Sequence, residues 1–220
     1  MPIPQVMLPD LVVRVLEVYA QADQAVHRYR TATGLRCPSG CVSCCHSPKV
    51  EATTLELIPL AFHLFRSNQA ELLLKRIDKQ HQAEHCILFR PDLAPEFGGG
   101  CSHYPYRALV CRLFGFAGAE DREGTPRLAH CRVMKEMYHL GPGPTDETAP
   151  LPLFHTFGVA ITALHPHLGA VRRPINQAIA EALQKVGLYL DLCPPDDHDH
   201  SRDLPPEKPL GTPFRPRRAA

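Results

Sequence analysis

The chain has 220 residues, 44% of them hydrophobic, which is enough to bury one sizeable core. Its net charge of +1 supplies no field to gather nucleic acid or an anionic membrane surface. Nine cysteines are more than a chain of this length needs as staples, and an odd number leaves one thiol over in any full pairing, so a disulfide framework is disfavoured.

The first predicted element is an amphipathic helix over 8–33. Leu8, Leu11, Val12, Val15, Tyr19, Ala22, Val26 and Tyr29 recur at helical spacing, and Gly34 supplies a stop. The opening "MPIPQVMLPDLVVRVLEVYA" lacks a charged stretch, an apolar run and a small-residue cleavage site, so no signal peptide is expected. Together with the cysteine usage this points to a reducing, cytoplasmic compartment, where clustered thiols serve metal or redox chemistry.

Next comes "CPSGCVSCCHSP", residues 37–48, with four cysteines in nine positions. Cys41 and Cys44 form a C-x-x-C clip, and Cys37 stands one C-x3-C step before it. Such close spacing lets thiolates converge on one ion with little loss of chain entropy. Cys45 adjoins Cys44 and, as a neighbour, points elsewhere: to a second site, to a bridging position, or to none.

A second helix is predicted over 53–66, opened by a capping box between Thr53 and Glu56 and carrying Pro59, which implies a kink or a late start. A more polar helix is expected over 69–85. From 86 to 116 periodicity fails, with Cys86, Cys101 and Cys111 set among Pro and Gly and a short helix over 105–112. Residues 125–140, with Cys131, read as helical; 141–150 read as a linker. Helices over 151–165 and 170–190 complete the core. The first of them lies in "LPLFHTFGVAITALHPHLGA", whose Pro and His interruptions mark a buried helix and not a membrane span. The expectation is a mainly α single domain, 1–192, with a motif core over 37–131 and irregular cysteine loops. The Pro-rich, charged segment 193–220 is expected to be disordered, and "DDHDH" at 196–200 reads as a solvated charge run.

Eight cysteines are therefore candidate metal and cofactor ligands: Cys37, Cys41, Cys44, Cys45, Cys86, Cys101, Cys111 and Cys131. Cys193, at the tail boundary, reads as a spare thiol. Lys49, Arg107, Arg112 and Arg132 lie close enough in sequence to offset thiolate charge.

"CPSGCVSCCHSPKVEATTLE" followed by "CILF…GGGCSHYPYRALVCRLFGF" resembles the YkgJ-type cysteine-cluster family of zinc- or iron-chelating domain proteins. The resemblance runs over Cys37, Cys41, Cys44 and Cys45, then Cys86, Cys101, Tyr104, Arg107, Cys111 and Arg112, within residues 37–116. Ala108 stands where the family usually has proline, a departure expected to loosen a turn while removing no ligand. The resemblance implies metal chelation and leaves the metal and the role open.

The residues favour an iron–sulfur cluster, of the 4Fe-4S type, with zinc second. His46, His103 and His130 are candidate substitutes for a thiolate in a zinc site. The spacing of Cys37, Cys41 and Cys44 also fits a radical S-adenosylmethionine enzyme, but Ser43, the extra Cys45 and the lack of alternating strands and helices count against it. A disulfide-exchange enzyme would place its C-x-x-C after a strand; here it follows a helix. The sequence assigns no catalytic residue. It points to a redox or metal-handling partner, and to neither nucleic acid nor membrane.

Overall fold

The computed structural model describes residues 7–38, 41–47, 49–79, 85–93, 98–129, 131–139 and 150–193. Among them are eight α-helices and three two-stranded antiparallel ribbons, so the mainly α expectation holds. The expected tail, from 194 onward, lies outside the described residues.

Helix α1 spans Leu8–Thr33 and buries the predicted stripe from Leu11 to Tyr29, with Val18 added and Leu8 only partly covered. It ends where Gly34 takes a left-handed conformation (φ 72°) and donates its N–H to the Arg30 carbonyl; glycine adopts that conformation without a Cβ penalty. Helix α2, Thr54–Arg66, sits at the centre of the molecule with ten of its residues buried. Its capping box is formed: Thr53 Oγ1 accepts from Glu56 N–H at 3.3 Å, and Glu56 Oε1 accepts from Thr53 N–H at 3.0 Å. The helix starts at Thr54 and runs through Pro59, so the late-start alternative falls away.

Two long-range ties set the frame. Strand β1, Glu51–Thr53, pairs with β6, Arg172–Pro174, joining the exit of the first cysteine loop to the start of α8, Ile175–Leu192. Helix α8 then packs along α2, where Gly187 has no Cβ and lets the Phe65 ring approach. Helices α1 and α2 meet through Tyr19, whose hydroxyl donates to the Glu56 carbonyl at 2.5 Å. Neither β1 nor β6 is visible in the periodicity, because three-residue strands carry too little pattern.

Other elements correct the sequence reading. Helix α3 covers Ala70–Lys79, and the rest of the expected span, to 84, lies outside the described residues. Residues 125–140 are not one helix. Strand β4, Gly118–Glu120, pairs with β5, Pro126–Leu128, and helix α5 spans only Arg132–Tyr138. The reason is turn chemistry: Asp121 Oδ1 accepts from Glu123 and Thr125 N–H, and Gly124 sits at φ 79°. Helix α6, Phe154–Leu164, buries only Ile161 and leaves Val159 64% exposed, so it lies on the surface of the bundle and not inside it. A short helix α7, Pro166–Gly169, follows.

The irregular stretch 86–116 is built from small pieces: β2, Phe89–Arg90, paired with β3, Gly100–Cys101; a 3-10 turn over Tyr104–Tyr106; and α4, Leu109–Leu113. Buried Glu56 reaches this region, because its Oε2 accepts the Leu109 N–H that opens α4 at 2.7 Å. Thr53→Ala should therefore cost about 1 kcal/mol through the lost cap. Glu56→Ala leaves two buried N–H groups without their acceptor and should cost roughly 2–5 kcal/mol; urea unfolding of both variants against the parent protein measures the difference.

Candidate metal centre

The first cysteine loop is shaped by turns. Cys41 N–H donates to the Pro38 carbonyl and Cys45 N–H to the Val42 carbonyl, so the chain folds back on itself between cysteines. Its far end is fixed when the Cys45 carbonyl accepts from Cys86 N–H at 3.2 Å. Cys101 is delivered to the same place by pairing opposite Phe89 in the β2–β3 ribbon, and Ser102 locks that ribbon through its N–H and hydroxyl to the Leu88 carbonyl. The GGG run has a structural purpose here: at Gly99 (φ 116°) a Cβ would lie 2.7 Å from the Phe89 ring and 2.8 Å from the Arg90 carbonyl. Cys111 projects from α4. Ala108, which caps that helix at φ −58°, already holds the angle a proline would impose, so the departure from the family pattern leaves the turn as it is.

The near end of the loop has a different anchor. The Tyr138 hydroxyl of α5 accepts from Arg36 N–H at 3.0 Å and donates to the Arg36 carbonyl at 3.1 Å. Cys131 caps α5, its sulfur accepting from Met134 N–H at 3.4 Å. Cys37 lies on this side, facing Cys41 and Cys131.

All nine cysteines are free thiols, and their electrostatics describe a crowd of acidic groups. Cys37 is exposed as a residue, but the protein packed around its sulfur withdraws it partly from water and, with Cys41 and Cys131 adding repulsion, pushes its thiol up to about 11. Burial pushes Cys86 up to about 12 despite N–H groups of Leu88 and Phe89 directed at its sulfur. Cys111 is raised by burial and by Cys44, Cys86 and Cys101; Cys101 is raised by burial, against the His103 N–H and Arg107. In the adjacent pair the proton stays on Cys45 and hydrogen-bonds to the Cys44 sulfur, so Cys44 is lowered and Cys45 raised. Among the described residues, no group of three or more His, Cys, Asp or Glu side chains closes into ligating geometry. The donor chemistry of the thiols nonetheless fits a soft metal: burial and mutual repulsion are the costs a bound cation removes, and N–H groups already point at several sulfurs.

The cations are distributed differently from the sequence expectation. Arg107 serves the thiols: it favours ionised Cys44, Cys101 and Cys111 and is held with its guanidinium 3.5 Å over the Tyr104 ring. Arg112 does not. It is buried, lies 4.2 Å over the Tyr19 ring, and bonds Asp23 and the Pro105 and Arg107 carbonyls, so it braces the backbone behind the site. Arg132 pairs with Glu136 on the surface, and Lys49 is exposed. Arg30, which the sequence reading missed, is the cation that favours ionised Cys37, and its Nε is buried with no hydrogen-bond partner among the described residues.

Of the histidines, His46 packs edge-on against His85 and Phe89. His103 shares a hydrogen bond with Ser102 and lies against His63, and burial pushes its imidazole down to about 4. His130 falls outside the described residues. Cys193 is exposed at the end of α8.

Thiols gathered in this way from the first loop, the β2–β3 ribbon, α4 and α5 define a metal-binding domain of the cysteine-cluster class. Residues 36–132 match the model of the family described as "CxxCxxCC: Putative zinc- or iron-chelating domain", the YkgJ-type family that the sequence resembles. The match encloses all eight candidate cysteines and leaves out Cys193. Searches of curated proteins and of solved structures found no match.

Two outcomes follow from the electrostatics. Arg107→Ala should weaken zinc binding about 10- to 100-fold, the usual effect of losing a group behind the ligands, with Arg107→Lys recovering part of it; competition with a chromogenic chelator reads this. With Cys37 and Cys86 held up to about 11 and 12, both are protonated at pH 7 and must lose protons to bind metal. Affinity should therefore rise with pH and fall on acidification, and calorimetry in two buffers of different ionisation enthalpy should show proton release on zinc binding.

Proposed function

We propose that the chain holds a cysteine-ligated iron–sulfur cluster of the 4Fe-4S type, with ligands drawn from Cys37, Cys41, Cys44, Cys45, Cys86, Cys101, Cys111 and Cys131, and serves in electron transfer or redox sensing. The observation that carries this reading is the donor set. It is entirely thiol, exceeds what one tetrahedral zinc ion takes, and has backbone N–H groups on Cys86, Cys101 and Cys131. Such N–H···S bonds favour thiolate and tune a cluster's potential.

The position of the thiols suits exchange with a partner. Cys37 is exposed, the other seven candidate cysteines are half-buried, and Tyr104, stacked on Arg107, is 51% exposed. A redox or metal-handling protein could approach this face in a reducing cytoplasm. Among the described residues no helix is long and apolar enough to cross a membrane.

Metal and acid-labile sulfide measured on protein purified without oxygen test the proposal. Iron with equimolar sulfide and a brown absorbance band is the expected result; zinc without sulfide would overturn the cluster and make the centre a chelating or structural one. Cys41→Ser and Cys44→Ser should lose metal while Cys193→Ser keeps it, and a metal-free Cys193→Ser protein would sink the ligand assignment.

A further inference from the structure

We infer that Asn176, on the first turn of α8 and outside the matched residues 36–132, is a positioning residue for the metal centre: its side-chain amide holds the backbone on both sides of Cys86. This rests on the metal-binding function proposed above and deepens it.

Among the described residues, Cys86 belongs to no helix or strand, so its placement depends on hydrogen bonds from other segments. Its own N–H goes to the Cys45 carbonyl at 3.2 Å, which ties it to the first cysteine loop. The groups that flank it go to Asn176. The Asn176 Oδ1 accepts the Ile87 N–H at 2.8 Å, and Nδ2 donates to the His85 carbonyl at 3.0 Å. One amide thereby serves the acceptor just before the cysteine and the donor just after it, in the way a residue of a parallel strand bonds its neighbour. The match is chemically specific, because the amide's oxygen only accepts and its nitrogen only donates. Further along, the Ile87 carbonyl takes Arg76 Nη2 at 3.4 Å and the Leu88 carbonyl takes Ser102 N–H at 2.9 Å. Arg76 and Ser102 lie inside the matched residues; Asn176 reaches the segment from outside them.

The start of α8 holds the first cysteine loop as well. Ile175, the neighbour of Asn176, donates its N–H to the Val50 carbonyl at 2.9 Å, next to the β1–β6 pairing. Two successive residues of α8 thus bond the segment that leaves the first loop and the segment that carries Cys86. The Cys45–Cys86 bond joins the same two segments at the thiols. Without the Asn176 amide, Cys86 is free to shift relative to Cys44 and Cys45. Ligands that must be gathered when the metal binds cost conformational entropy that held ones do not.

The helix itself has no need of asparagine here. Asparagine is among the weaker helix formers, and the cap of α8 falls at Pro174 with no side-chain hydrogen bond. Asn176→Ala therefore favours the helix while it removes both bonds to the Cys86 segment.

Timed alkylation of the reduced, metal-free full chain with iodoacetamide, read cysteine by cysteine by mass spectrometry, tests the grip; chelator competition for zinc tests its consequence. Asn176→Ala should label Cys86 about 10-fold faster than the parent chain, the effect on local opening of releasing two hydrogen bonds, with Cys37 and Cys193 unchanged. It should also bind zinc about 10-fold more weakly. Thr54→Val is the structural control. It removes the 2.8 Å bond from Thr54 to Glu181, a different tie to α8, and should leave Cys86 labelling and zinc affinity at the parent's values. Asn176→Asp keeps the side-chain shape and the acceptor for Ile87 but loses the donor to His85; its Cys86 labelling should lie between the two, and it decides the matter where circular dichroism shows the alanine variant unfolded. Parent-like Cys86 labelling or zinc affinity in Asn176→Ala, or an equal change in Thr54→Val, would overturn the inference. A parent chain that binds no zinc overturns the metal-binding function itself, a separate failure.

Discussion

A single buried carboxylate organises the scaffold behind the thiols. Glu56 is 1% exposed, yet its two oxygens accept the N–H groups of Thr53 and Leu109, and its own carbonyl accepts the Tyr19 hydroxyl. One residue thereby fixes the start of α2, the start of α4 and the distance to α1. A charge withdrawn from water is tolerated only with such full pairing. Arg112 supplies a second brace from the thiol-bearing helix, reaching Asp23 on α1 and two carbonyls of the turn before it. Cys111 sits between these braces, packed against the core, and the polar bonds on either side fix the helix that carries it.

The site in front of this scaffold is electrostatically unfinished. Most of its thiols are held in the protonated form by burial and by one another, and the cations near them are few and individually placed. That is the condition in which a metal ion has the most to contribute: it replaces several protons at once and converts mutual repulsion into shared coordination. Cys44 is the exception. The Cys45 thiol bonded to its sulfur and the Arg107 cation near it both favour its ionised form.

Much of this was legible in the sequence. The stripe of α1, its glycine stop and the Thr53–Glu56 box appear where pattern and capping rules put them, because each depends on residues within one or two turns. The eight cysteines were legible as a set through spacing and through the family resemblance. What escaped were interactions between segments that sequence does not connect. Nothing in the spacing tells that Arg112 faces Asp23 while Arg107 faces sulfur, that Tyr138 holds Arg36, or that Arg30 joins the site from α1. Residues 125–140 were misread for a local reason: helix-forming residues after Cys131 outweighed the Asp121–Gly124 turn that precedes them.

The pairing of β1 with β6 bears on the order in which this protein is made. The strand that closes the first cysteine loop has its partner far along the chain: the Arg172 side chain, 121 residues after Glu51, bonds the Glu51 carbonyl, and the Ile175 N–H completes the tie at the Val50 carbonyl. As the chain leaves the ribosome, the loop and every other cysteine of the matched segment emerge before α8 exists to cover α2. During that interval the thiols are presented by an incomplete scaffold, open to oxidation and to whatever metal is at hand. The scaffold that presents the thiols is thus completed by a helix, α8, that contributes none of the eight candidate cysteines.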